Sequence, residues 1–221
     1  MVVNLIKIGV LVFLAVLADF LVWRRLKEDY PENDIFNFSL FLIFFAGLGG
    51  WLGHVLEYGK LSLGVSWWGM MLFVGLSVTW WSKKYAWDGW EIMDMITVIF
   101  SWLWLIANLP GWGEFSWGKL IMALAGLLLV AYVRRNYRNF RWYRLGKVGL
   151  VALFFLGWLA LTELAVAFMT PGGIYLGGLK PGQIVCAYIL AYVLITIYLR
   201  SGWKIKEIYG SLKIKRSAKK S

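Results

Sequence analysis

The chain has 221 residues, of which 61% are hydrophobic and 16% charged, and its net charge is +11. A soluble domain is about 25% charged and about 45–50% apolar, so this composition excludes a soluble globular domain, a disordered chain and a nucleic-acid-binding module. The single cysteine, Cys186, excludes a disulfide framework and a cysteine-based metal cluster. The single histidine, His54, argues against a histidine metal site within one chain. We therefore expect no metal and no cofactor.

Seven apolar stretches approach the roughly 20 residues that a helix needs to cross a bilayer. They cover residues 4–23, 35–57, 62–81, 92–109, 119–134, 148–169 and 182–200. The first carries Asp19 and lacks the polar flank and small-residue cleavage site of a signal peptide, so we interpret it as a retained helix. The expected fold is one all-α integral membrane domain over residues 1–221, with seven transmembrane helices and a basic cytoplasmic tail at 201–221.

The distribution of positive charge predicts how these spans are oriented. If the N-terminus lies outside, the inner loops and the tail hold all but four of the 23 lysines and arginines. The four exceptions are Lys7, Lys60, Lys119 and Lys180. Inner loops of membrane proteins carry an excess of basic residues, so the pattern predicts an outer N-terminus and an inner C-terminus. The basic loops are expected to contact anionic lipid rather than nucleic acid.

Polar side chains gather near the outer ends of the predicted spans. Ionisable residues inside a membrane are costly and are functional candidates by default. His54 and Glu57 lie three residues apart in the last outer turns of the second span, on one face of the helix. Other spans and the loop after the fourth span place further polar groups at a similar depth: Ser66, Trp68, Asn108, Glu114, Thr162, Glu163 and Gln183. The sequence therefore predicts a shared polar pocket near the extracytoplasmic face.

The chemistry of that pocket centres on three candidate catalytic residues. His54 is a candidate general base whose basicity Glu57 or Glu114 would tune. The alternative is a helix-end histidine that is hydrogen-bonded to Glu57 or to lipid headgroups.

On the same span, Gly49 and Gly53 have the GxxxG spacing of a helix-packing surface.

Taken in order, several segments resemble those of the prolipoprotein diacylglyceryl transferase family. Residues 49–58 resemble a segment of the family's second span, and residues 64–71 are similar to the glycine-rich start of its third. Asp94 matches the aspartate that opens the fourth span. The family's remaining motifs are matched by residues 108–114, 156–171 and 182–185. The resemblance covers nearly the whole chain, with the family's extracytoplasmic head reduced to residues 110–118.

The resemblance implies a function and a location. Members of this family move a diacylglyceryl group from phosphatidylglycerol to the lipobox cysteine of a lipoprotein precursor. The implied partners are phosphatidylglycerol and a lipoprotein precursor, and the implied location is a bacterial-type plasma membrane. The substrate-binding positions expected from the resemblance and the polar pocket are Gly53, Tyr58, Ser66, Trp68, Gly69, Asn108, Thr162, Glu163 and Gln183.

The chain departs from the family at the positions that carry its chemistry. Trp68 stands where the family has its histidine, and Asn108 (or Ile106, depending on the gap) and Thr162 stand where it has arginines. Arginine suits phosphate because its planar fork donates two parallel hydrogen bonds. Three functions therefore stay open: a divergent transferase that uses His54 with Lys60 or Lys119, a catalytically silent relative that binds lipid or precursor, and a small transporter.

Overall fold

The computed structural model describes residues 16–17, 19–61, 64–109, 116–140, 142–143, 146–169 and 173–202. Within these ranges the chain is helical and forms no β-sheet, which confirms the predicted all-α class. A 3-10 turn, Tyr137–Asn139, follows the fifth of the helices. The helices are residues 19–26 (α1), Glu32–Tyr58 (α2), Trp67–Tyr85 (α3), Gly89–Ala107 (α4), Trp117–Asn136 (α5), Leu150–Met169 (α6) and Pro181–Ser201 (α7).

Five of these segments are long and apolar enough to cross a membrane, so the chain has the character of a membrane protein. They are α2, α4, α5 with its following turn, α6 and α7. Helix α3 has 19 residues, but its tryptophans, hydroxyl side chains and two terminal lysines lower its mean hydropathy. Most of the first predicted span lies outside the described residues. The count of seven spans and their orientation stay predictions.

The third helix begins later than its predicted start at residue 62. Residues 64–66 are not helical, and the Ser66 backbone N–H donates to the Gly50 carbonyl oxygen at 2.9 Å. This bond ties the connection to the side of α2, and α3 starts only afterwards, at Trp67. Helix α3 also continues past residue 81 to Tyr85, because Lys83 and Lys84 end the apolar run without ending the helix.

Helices α2 and α3 touch through backbone atoms, and theirs is the most extensive helix contact in the bundle. A Cβ atom added to Gly69 would overlap the Gly49 carbonyl oxygen and would lie 2.9 Å from the Gly53 Cα. A Cβ added to Gly49 would lie 2.6 Å from the Gly69 carbonyl oxygen. The packing surface predicted from the spacing of Gly49 and Gly53 is therefore present, and it receives Gly69 of the neighbouring helix.

The apolar core has two parts that share α3. One part packs α1, α2, α3 and α4 around Ile35, Phe38 and Ile92, all fully buried. The other part joins α3 to α4, α5, α6 and α7 around Leu150 and Leu159, which are also buried. Helices α3 and α4 therefore contribute to both parts of the core.

Asp94, near the start of α4, caps the N-terminus of α6. Its two carboxylate oxygens accept hydrogen bonds from the backbone N–H groups of Gly149 at 2.6 Å and Ala152 at 2.8 Å. The first N–H groups of a helix have no partner within the helix, and an acidic side chain satisfies them and complements the helix dipole. Asp94 therefore joins two helices.

The Gly69 crossing gives a stability prediction. Gly69→Ala forces a methyl group against the backbone of α2, which cannot move away as a flexible side chain could, so we expect a loss of about 1–3 kcal/mol. Gly75→Ala in the same helix is the control, because a Cβ at Gly75 meets nothing within 4 Å. Thermal unfolding in detergent measures both variants. Equal midpoints for the two would contradict the close backbone contact.

The Asp94 cap gives a second stability prediction. Asp94→Ala leaves two backbone donors without an acceptor and should destabilise the protein by about 2 kcal/mol. Asp94→Asn keeps one acceptor oxygen and should lose less. Glu91→Ala, at an exposed position of the same helix, is the control in the same unfolding measurement. A loss for Glu91→Ala as large as that for Asp94→Ala would show that the cap is not the cause.

Candidate functional site

At the predicted outer end of the bundle, Glu57 of α2 and Trp68 of α3 form a hydrogen-bonded pair. The Trp68 indole Nε1–H donates to Glu57 Oε2 at 3.0 Å. The pair lies beside the glycine crossing, because Glu57 is one turn beyond Gly53 and Trp68 directly precedes Gly69. Trp68 is 5% exposed, and a Cβ on Gly182 of α7 would lie 2.7 Å from its Nε1. The indole is therefore held between α2 and the start of α7.

Two further groups complete what we call the acidic cluster, defined as Glu57, Trp68, Glu163 and Cys186. Glu163 of α6 interacts electrostatically with Glu57 and with Lys119 of α5. The Cys186 thiol of α7 is 1% exposed and interacts electrostatically with both carboxyl groups. Two carboxyl groups and a thiol from three helices thus lie within electrostatic range of one another.

The connection between α6 and α7 lies over the end of α2. The Ile174 backbone N–H donates to the Glu57 carbonyl oxygen at 2.8 Å. Lys180 is only 2% exposed, and its Nζ lies 5.9 Å from the centre of the Tyr175 ring. The charge pattern predicts Lys180 in an outer loop and does not indicate that it is buried. Pro181 follows directly, and proline favours the first turn of a helix. The sequence therefore indicates that Lys180 lies at a helix start.

His54 and Glu57 contact different residues. Its half-buried ring lies 4.9 Å from the Tyr58 ring, centre to centre. A Cβ on Gly64 would overlap the imidazole, so the ring packs against the backbone of the α2–α3 connection. His54 and Glu57 thus share the outer end of α2 while they contact different parts of the protein. The third candidate catalytic residue, Glu114, lies outside the described residues.

Three of the predicted binding residues form side-chain hydrogen bonds with backbone groups at or within helices. Asn108 Nδ2 donates to the Trp104 carbonyl oxygen at 2.8 Å, at the end of α4. Thr162 Oγ1 donates to the Trp158 carbonyl oxygen at 2.9 Å, within α6. Gln183 Oε1 accepts from the Lys180 backbone N–H at 2.8 Å, at the start of α7. Polar side chains commonly satisfy backbone groups in this way where water is excluded.

The other predicted binding residues belong to the glycine crossing and its edge. Gly53 and Gly69 form the crossing itself. The Ser66 hydroxyl is buried beside it, and the described residues provide no hydrogen-bond partner for its oxygen. Tyr58 is 40% exposed and lies at the edge, next to His54. The structure therefore brings Glu57, Trp68 and Glu163 together and gives the remaining positions packing or capping contacts.

Comparisons with known proteins do not extend this assignment. No family model, no curated protein and no solved structure matches the chain. In the part of the chain that the structure describes, no three His, Cys, Asp or Glu side chains are grouped closely enough to hold a metal ion. The resemblance to the diacylglyceryl transferases therefore stays a prediction from the ordered sequence motifs alone.

The Glu57–Trp68 pair can be tested by a double-mutant cycle. Trp68→Phe removes the indole donor and leaves Glu57 Oε2 without it, so we expect a loss of about 1–3 kcal/mol. Combining it with Glu57→Gln should cost less than the sum of the two single changes, with a coupling of about 0.5–3 kcal/mol. Thermal unfolding in detergent measures all variants, and Trp102→Phe, at an exposed position (54%), is the control. Strict additivity would contradict the bond.

Proposed function

We propose that this membrane protein binds a phospholipid and a lipoprotein precursor at its outer end without transferring the diacylglyceryl group. The observation that supports this proposal is the hydrogen bonding of three side chains. Trp68, Asn108 and Thr162 stand where the resembled family has a histidine and two arginines, and each uses its side-chain donor within the protein.

The first step in the argument concerns the base. Transfer to a thiol requires a group that accepts the thiol proton. An indole N–H is a donor only, and the Trp68 N–H already donates to Glu57. The position that would carry the base therefore cannot accept a proton.

The second step concerns the phosphate. The Asn108 and Thr162 donors are bound to carbonyl oxygens of their own helices. Stabilising a phosphate in a low-dielectric site requires donors aimed at its charge. The described part of the outer end offers three lysines, the exposed Lys60, the half-buried Lys119 and the buried Lys180, and no arginine fork.

The third step concerns binding. Large apolar side chains are exposed around the rim of the outer end: Leu56, Leu61, Val65, Trp117, Phe168 and Met169. Exposed apolar surface of this kind faces lipid or an apolar partner. The apolar lipobox region of a precursor and the acyl chains of a phospholipid both have the chemistry that this rim would contact.

A second candidate function is an active, divergent transferase. It is favoured by the location of His54, which is half-buried at the end of α2, beside Tyr58 and one turn from Glu57. In that case His54 would be the base, and transfer would depend on its imidazole.

One complementation experiment separates the two functions. The chain is expressed in a bacterium depleted of its own diacylglyceryl transferase, and lipid attachment to a reporter precursor is followed by gel shift. We expect no lipidated product, together with photo-crosslinking of the precursor to the rim, from protein shown to be folded and membrane-inserted. A product that His54→Ala abolishes would contradict silent binding and support the transferase. Absence of both product and crosslink would contradict both functions.

A further inference from the structure

A second region runs along α3, from Met71, one turn after Trp68, to Lys83 near the end of the helix. A cavity of about 730 Å³ is lined by α3, α4, α6 and α7. Most of its lining is apolar, and the residues that represent the four helices are Met71, Leu76, Met93, Leu153, Leu156 and Ile189. We call this cavity the inner groove.

The inner groove opens sideways between α3 and α7. On its open side, Leu76 is 65% exposed, Tyr188 is 74% exposed and Tyr192 is 52% exposed. Its floor is formed by Ala152 and Leu153 of α6, which are buried. In a membrane protein this opening faces the hydrocarbon of the bilayer, so a lipid chain can enter the groove from the side.

The polar side chains in the groove wall do not make it hydrophilic. Thr79 Oγ1 donates to the Gly75 carbonyl oxygen and Ser82 Oγ donates to the Val78 carbonyl oxygen, both at 2.7 Å. Both hydroxyl groups therefore donate to their own helix. The wall that remains for an occupant is hydrocarbon along most of its length.

Among the described lining residues, Lys83 alone carries a charge, and it lies at the inner end of the groove. The neighbouring Lys84 points elsewhere, because its ammonium group lies over the rings of Trp80, at 4.9 Å, and Tyr85, at 5.1 Å. The two adjacent lysines thus have the same charge and different surroundings. The groove is therefore an apolar channel with Lys83 at its inner mouth.

The length of the groove matches one leaflet of a bilayer. From Met71 to Lys83, α3 rises by about 18 Å at about 1.5 Å per residue. One leaflet contributes about 15 Å of the roughly 30 Å hydrocarbon core. Lys83 is two residues from the end of α3, so its ammonium lies near the inner headgroups when α3 crosses the membrane in the predicted orientation.

We propose that the inner groove holds an acyl chain of an anionic phospholipid from the inner leaflet, with its phosphate on Lys83. The apolar wall selects the hydrocarbon chain, and the Lys83 ammonium selects the negative headgroup. Its headgroup contact, Lys83, lies at the opposite end of α3 from Trp68, so the proposal does not depend on the function proposed for the outer end.

Photo-crosslinking tests the proposal on the full chain reconstituted in phosphatidylcholine bilayers. The probe is phosphatidylserine with a photoactivatable group on one acyl chain, and a phosphatidylcholine with the same chain is the neutral comparison. We expect adducts on the segments around Leu76 and Tyr188, with the anionic probe preferred. Lys83→Ala should reduce that preference about fivefold, which corresponds to about 1 kcal/mol for one lost charge. The matched control Lys84→Ala should leave it unchanged.

A second pair of variants tests occupancy of the groove. A Cβ on Gly75 meets nothing within 4 Å, so Gly75→Phe should fill the groove and abolish adducts there. Gly47→Phe is the control, because Gly47 also has open space but lines a different cavity, beside α1. If Gly75→Phe fails to fold, the lysine pair still decides the question. Equal labelling by the two probes, an unchanged preference in Lys83→Ala, or adducts that persist in folded Gly75→Phe would each overturn the proposal.

Discussion

The backbone contact between α2 and α3 determines much of the remaining structure. Where Gly49, Gly53 and Gly69 meet, no side chain separates the helices. This approach is what allows the Glu57 carboxylate to reach the Trp68 indole, one turn from the crossing. In a membrane, where apolar side chains gain little by leaving lipid, close backbone packing is a main source of helix association. The crossing therefore provides stability and also positions the residues of the acidic cluster.

Neighbouring segments satisfy backbone groups at several helix ends. Asp94 of α4 accepts from the first N–H groups of α6. The last turn of α2 receives the Ile174 N–H from the α6–α7 connection, and Arg200 of α7 donates to the Val148 carbonyl oxygen just before α6. Unpaired backbone groups are costly where water is scarce. These bonds also fix the order in which helices lie side by side, because each joins elements distant in sequence.

The sequence predicted the described helices from α2 to α7 with small errors at their ends, because long apolar runs between basic loops have few other structures available. The glycine spacing also predicted the packing surface on α2. It did not predict which way individual side chains face, because helices that are apolar on every side carry little information about rotation. The side chains of Asn108 and Thr162, for example, bond to carbonyl oxygens of their own helices, and their role in substrate binding stays a prediction. The burial of Lys180 and the inner groove depend on packing between helices, which no single stretch of sequence encodes.

The burial of Cys186 makes the native chain a convenient background for chemical labelling. Cys186 is the single cysteine in the sequence and is 1% exposed, so a bulky, membrane-impermeant maleimide should not reach it in the folded protein. A cysteine introduced at exposed Lys60 or exposed Lys84 would then be the one reactive thiol. Labelling each from either side of a sealed membrane reads the orientation of α2 and α3 directly. No cysteine-free parent is required, and the acidic cluster keeps its thiol.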